Sequence, residues 1–165
     1  MLSKIIPPVG GDTLFANTQK AYEDLDDEMK LKIENLKVVH SAKLPYADDG
    51  FYATETEKRS MKIITSKEAK KEQIHSLVKV HPETQKKGLF INPVYTSHIQ
   101  GFNEEESFLL LSKLYEHMTQ EKYIYRHKWK ENMLLMWDNR TVMHMAEGGY
   151  DGYDRLLHRI TIANS

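Results

Sequence analysis

The feature that most constrains this chain is its punctuation. In the second half, short apolar runs recur between turn residues, and only one long helical pattern interrupts them. Ser76-Leu77-Val78-Lys79-Val80 alternates polar with apolar. Residues 82–88 are turn-like, and Leu89-Phe90-Ile91 resumes an apolar run, which predicts a hairpin. Strand patterns follow at 123–129, 133–137 and 156–162, with 141–145 as a further candidate. The interruption begins at Asn103, an N-cap residue type. Glu104-Glu105-Glu106 then stand where the positive end of a helix dipole favours them. The spacing of Phe108, Leu111, Leu114, Tyr115 and Met118 predicts one buried helical stripe. Short strands with helices inserted between them suit a mixed β fold with helices, a β-sandwich or jelly roll.

Upstream, Pro7-Pro8-Val9-Gly10-Gly11-Asp12-Thr13 is turn-rich. Asn17 is placed to cap a short helix whose inner face holds Ala21 and Leu25. Asp26 is placed to cap a second, with Met29, Ile33 and Leu36 at helical spacing. Residues 46–72 are polar, with few apolar anchors, and read as a surface excursion or lid within a single domain spanning 1–165. The lysine-rich run from 67 to 71 reads as a solvated face.

The chain has 165 residues, enough for one domain with its own core. With 23 basic against 24 acidic residues, it has no charge excess to favour nucleic acid or an anionic membrane surface. It has no cysteine, which excludes disulfides, thiolate metal sites and thiol nucleophiles. No apolar run reaches the length of a membrane span, and the start is broken too early by Pro7-Pro8 for a signal peptide. The expectation is a cytoplasmic protein without nucleic-acid or membrane partners.

The most informative stretch is Met136-Trp137-Asp138-Asn139-Arg140-Thr141-Val142-Met143-His144, followed by Tyr153-Asp154-Arg155-Leu156-Leu157-His158-Arg159-Ile160-Thr161-Ile162. It resembles the C-terminal signature of the taurine dioxygenase (TauD/TfdA) family of iron(II)- and 2-oxoglutarate-dependent dioxygenases. Gly10-Gly11-Asp12-Thr13, His81-Pro82-Glu83-Thr84 and Leu89-Phe90-Ile91-Asn92-Pro93 match further family motifs in the family's order. The resemblance covers about residues 7–162. It implies a double-stranded β-helix (jelly roll) with helical insertions. It also implies an oxidoreductase that couples decarboxylation of 2-oxoglutarate by dioxygen to hydroxylation of a small, anionic organic substrate. The substrate classes it brings are taurine or alkyl sulfonates, alkyl sulfates and aryloxyacetates; a homo-oligomer is compatible with it.

The resemblance assigns His144 as an iron(II) ligand; without it, a buried structural histidine is the better reading. It assigns Arg155 and Thr13 to the far carboxylate of 2-oxoglutarate, and Arg159 to the anionic group of the primary substrate. Arginine suits such work because it stays charged and binds carboxylates in a bidentate fashion. On a strand, positions 155, 157 and 159 share one face, leaving Leu156, His158 and Ile160 on the other. A solvated arginine is the alternative at either position. Phe90, Asn92 and Trp137 are further candidates for the substrate pocket, with turn or core packing as the alternative. His40, His75, His98, His117 and His127 show no usable partner spacing.

A facial triad needs two histidines and a carboxylate. The family's His-x-Asp or His-x-Glu pair lies upstream of the Gly-Gly-Asp-Thr motif, and this chain has none there. The sole His-x-acid is His81-Pro82-Glu83, whose proline suits a turn. The expectation is therefore a partial jelly roll lacking its N-terminal strands and two iron ligands. The alternative is a non-catalytic remnant that binds a carboxylate ligand or a partner subunit.

Overall fold

The computed structural model describes residues 1–54 and 63–162. In chain order its first half runs β1 (Leu2–Ile5), β2 (Thr13–Asn17), α1 (Thr18–Glu23), α2 (Asp27–Ile33), β3 (Lys37–Ser41), α3 (Lys43–Tyr46) and α4 (Phe51–Thr54). The second half runs β4 (Glu72–Ser76), β5 (Val78–Val80), β6 (Lys87–Leu89), β7 (Thr96–Ile99), α5 (Glu104–Met118), β8 (Ile124–His127), β9 (Val142–Ala146) and β10 (Leu156–His158).

The caps form as the sequence predicts. Asn17 accepts from the Lys20 amide and Asp26 from the Met29 amide. Asn103 and Glu106 close a reciprocal capping box at the start of α5. The helices enclose the main core, in which Ile33, Leu77, Leu89, Ile99, Leu114 and Met118 are fully buried. Each contributes about 1.5–3 kcal/mol by leaving water.

The strands pair antiparallel in small sheets ordered β8-β2-β9 and β4-β3-β7, with the predicted hairpin as β5-β6 and a further pair β1-β10. The β8-β2-β9 sheet positions the site. Thr13 lies opposite His127 and Ala146, and Phe15 opposite Tyr125 and His144. Side chains alternate along a strand, so these residues share one face. On the other face Ala16 is buried, and Met143 packs against the helical core.

Several expectations are corrected. Phe108 is not in the buried stripe of α5 but 68% exposed, while Ser107 and Leu110 are buried in its place. The Ile99 amide donates to Ser107 Oγ at 2.8 Å, and this bond sets the rotation of the helix against β7. The run 76–80 is not one strand. It breaks at buried Leu77, whose amide donates to Leu36, so that β4 joins β3 while β5 joins the hairpin. Residues 133–137 form only an isolated bridge, Leu2–Leu134, because β1 meets them only near its start. The last strand stops at His158; Ile160 and Ile162 beyond it are 85% and 84% exposed.

Of the polar excursion at 46–72, residues 55–62 lie outside the described residues. Lys70 pairs with Asp48 and Asp49, and Lys71 with Glu68, as suits a solvated face. No helix among the described residues is long and apolar enough to cross a membrane.

Candidate cosubstrate and metal site

The loop before β2 is built by two glycines. Gly10 and Gly11 have φ of +67° and +71°, a region that favours glycine. A side chain at Gly10 would collide with the Gly149 backbone, and one at Gly11 would meet Arg155 Nε at 3.0 Å. The bare loop therefore lets the Arg155 side chain lie across it. Arg155 donates from Nη2 to the Gly11 carbonyl at 3.0 Å, and its guanidinium sits 5.6 Å from the Tyr150 ring centroid. Its Nε is buried without a partner.

Thr13 follows two residues later, 4% exposed. Its hydroxyl oxygen accepts from Trp129 Nε1 at 3.0 Å. That bond occupies a lone pair and leaves the hydroxyl proton to be donated elsewhere. The sequence pattern places Trp129 only at the end of a strand. His127, with no expected role, packs edge-on against Trp129 at 4.6 Å and also has an unpartnered buried nitrogen, Nε2. Burial lowers its pKa, with the Asp12 carboxylate opposing.

His144 lies in β9 beside this group. Its ring is 5.0 Å from Trp137 and 6.0 Å from Phe15, which themselves meet edge-on at 5.1 Å. Burial lowers the His144 pKa, and the positive charge of Arg159 lowers it further. Arg159 is exposed just beyond β10 and Arg155 lies just before it, so the strand expected to align the two arginines contains neither. The Arg159 charge also opposes the burial that raises the Tyr46 phenol. Beside Phe15 and Trp137, a cleft of about 450 Å³ opens over the sheet towards Tyr125 and Met136.

Phe90 and Asn92 sit elsewhere. Phe90 stacks on His40 at 5.5 Å, meets His75 edge-on at 5.2 Å and carries the Lys79 ammonium 3.6 Å from its ring centroid. Asn92 shapes a turn, accepting from the Val94 amide and donating from its own amide to Thr96. Burial, then the nearby His75 and Lys79, lowers His40 to about 4. The sequence offered no sign of this His40–His75 pairing, which depends on β3 and β4 lying side by side.

His81 is committed to the turn. Its Nδ1 accepts from the Glu83 and Thr84 amides, and its Nε2 lies 3.1 Å from Asp138 Oδ2. Glu83 pairs with Arg140 at 3.3 Å. Neither member of the His-x-Glu is free to bind a metal without breaking these bonds.

The chain matches the family described as "Taurine catabolism dioxygenase TauD, TfdA family" over residues 1–161. It belongs to this TauD/TfdA family. It is similar to an alkylsulfatase of Acinetobacter baylyi, 38% identical over 160 residues that cover 96% of this chain and 50% of the relative. It is also similar to an alpha-ketoglutarate-dependent 2,4-dichlorophenoxyacetate dioxygenase of Burkholderia sp. (strain RASC), 38% identical over 148 residues, 87% of this chain and 46% of the relative. Among solved structures, AAD-2 in complex with Mn(II) and N-oxalylglycine superposes with a TM-score of 0.76 at 35% identity, covering 93% of this chain and 57% of that one. The chain spans about half the length of the curated relatives it matches.

The TauD/TfdA family uses iron(II) and 2-oxoglutarate, and relatives such as the Burkholderia protein are named as alpha-ketoglutarate-dependent dioxygenases. The residues present fit these two groups unequally. A carboxylate suits the Thr13 hydroxyl and the orphaned Arg155 Nε. Iron does not find a full ligand set: no group of three or more His, Cys, Asp or Glu suited to a metal occurs among the described residues.

Proposed function

We propose that this chain is the cosubstrate-binding half of an iron(II)- and 2-oxoglutarate-dependent dioxygenase that hydroxylates a small anionic organic substrate. The observation that carries this reading is the placement of a Thr13 hydroxyl with its proton unspent and a partly unsatisfied Arg155 at one glycine-shaped loop. A distal carboxylate would accept from both, and a charge-assisted bidentate contact fixes orientation as well as affinity. His144 would present a neutral imidazole to iron, held in place by Phe15 and Trp137. Iron, when bound, supplies the oxygen-activating redox chemistry. The described residues do not complete its ligand set.

Arg159, whose charge reaches His144, would hold the sulfonate, sulfate or carboxylate of the substrate. Relatives named for alkyl sulfates and for aryloxyacetates support these classes and do not choose between them. Trp137 would border the substrate; Phe90 and Asn92, held in the β3–β4 packing and in a turn, are not assigned to it. The same reading makes the chain part of a jelly roll whose remaining strands and ligands lie outside it. Its support is the half-length match and the sheet face that stays open beside Phe15 and Trp137. A cytoplasmic homo-oligomer, supplied there with 2-oxoglutarate, belongs to the same proposal.

The second reading, a non-catalytic carboxylate-binding remnant, is favoured by the incomplete ligand set alone. Anaerobic calorimetry separates them. The chain by itself should bind iron(II) weakly. Addition of the complementary N-terminal half of a family relative should restore tight one-to-one binding and succinate release. Tight binding by the chain alone would overturn the ligand assignment. Failure of any such complementation to restore turnover would favour the remnant.

A further inference from the structure

Buried polar side-chain atoms without partners are costly and rare in folded proteins. Among the described residues they are Tyr115 Oη, His127 Nε2 and Arg155 Nε. Two of the three flank Thr13. Arg155 lies over Gly11, which precedes Thr13 by two positions, and His127 is the cross-strand partner of Thr13 in the β2–β8 ladder. Cross-strand partners hold their side chains about 4.5–5.5 Å apart at Cβ and on the same face.

We infer that His127 is a third donor to the distal carboxylate of 2-oxoglutarate, acting beside Thr13 and Arg155. The inference rests on the cosubstrate reading above and extends it to a residue with no role there. His127 is only 6% exposed, so bulk water does not satisfy its Nε2. The neighbouring indole is already spent, because Trp129 Nε1 donates to Thr13. Trp129 meets the imidazole edge-on and so fixes its plane without consuming its nitrogen. The Thr13 hydroxyl proton and this nitrogen lie on one strand face, and a ligand atom with several lone pairs would satisfy both. A carboxylate oxygen does so, since a carboxylate offers about four acceptor sites. The tautomer that protonates Nε2 makes it a donor. His127 would thus be a binding residue for the cosubstrate and not merely a support for Trp129.

The test is metal-free binding of 2-oxoglutarate to the chain, followed by long-range ¹H–¹⁵N spectra of the histidine side chains. Saturation should shift the His127 Nε2 resonance. His127→Phe should weaken 2-oxoglutarate by about tenfold or more, the usual scale for a hydrogen bond to a charged group. His127→Gln, which keeps an N–H at similar reach, should retain most of the affinity. 2-Oxobutyrate, which lacks the distal carboxylate, should bind all three proteins alike. A backbone amide spectrum unchanged from the parent establishes that each variant is folded. Binding that Arg155→Ala abolishes but His127→Phe leaves unchanged overturns the His127 role alone. So does a Gln variant as weak as the Phe variant, or a His127 resonance that does not move. A parent chain that does not bind 2-oxoglutarate overturns the cosubstrate reading, and this inference with it.

Discussion

His81 Nε2 lies 3.1 Å from Asp138 Oδ2, so the turn after β5 is tied to the turn that leads into β9. Arg140 clasps the same carboxylate through Nε and Nη2 and reaches Glu83 as well. The two family motifs, separate in the sequence, are one bonded unit. It anchors the run from Trp137 to His144 and so the imidazole that the metal would need.

This unit predicts a stability change. Asp138→Asn should cost about 1–3 kcal/mol, because it weakens a charge-assisted bond to Arg140 and leaves His81 poorly paired. Hydrogen bonding from Arg140, chiefly, and then from His81 holds the Asp138 carboxyl below the usual range, against the opposing effect of burial. Its contribution is therefore complete above about pH 4 and is lost as pH falls further. Urea denaturation near neutral pH and again near pH 3 should show the variant's deficit shrinking in acid. An equal deficit at both pH values would show that the charge is irrelevant.

Gly11 and Gly101 make a controlled pair. Both have positive φ, but a side chain at Gly101 meets open space, whereas one at Gly11 meets Arg155. Each change to alanine should cost about 1–2 kcal/mol for the left-handed backbone. Only Gly11→Ala should also weaken 2-oxoglutarate, by displacing the guanidinium. Calorimetric titration of both variants checks this. Equal affinities would remove Arg155 from the cosubstrate site.

In an enzyme restored by complementation, the proposed roles require Arg155 and Arg159 to fail differently. Loss of a buried charge-assisted contact costs on the order of 2–5 kcal/mol, so Arg155→Ala should raise the 2-oxoglutarate requirement by orders of magnitude. Arg159→Ala should weaken the primary substrate and leave part of the uncoupled decarboxylation intact. Succinate release and substrate oxidation, each titrated against both cosubstrates, separate the two. An unchanged 2-oxoglutarate dependence in Arg155→Ala would remove the basis for the whole C-terminal assignment.

His40 gives the fold an acid limit. Burial first, then His75 and Lys79, lowers it to about 4, whereas an unfolded histidine titrates near pH 6.5. The unfolded chain therefore binds the extra proton first as pH falls. The stability due to neutral His40 is complete above about pH 6.5 and is lost progressively towards about pH 4. Thermal midpoints measured across that window should fall for the parent chain and fall less steeply for His40→Asn. Parallel curves would assign the acid sensitivity to another group.

The sequence by itself determined what depends on near neighbours. Asn17, Asp26 and Asn103 bond to amides three residues on, so the caps are local chemistry. The β5–β6 hairpin closes over a short turn, and its register follows from that turn. The motif residues Thr13, His144 and Arg155 were likewise legible as types of chemistry. Tertiary structure decided the rest, because it depends on contacts between distant segments. The helical period of α5 was plain, but its rotation, with Phe108 outward, was fixed by the bond that Ser107 accepts from Ile99 of β7. Residues 133–137 and 159–162 carry strand patterns without full ladders, since a ladder requires a partner and a pattern does not supply one. Trp129 and His127 join Thr13 only through the register of β2 against β8, across more than a hundred residues of chain. Slipping that register by one residue would turn both side chains to the opposite face, and nothing local to residues 123–129 specifies it.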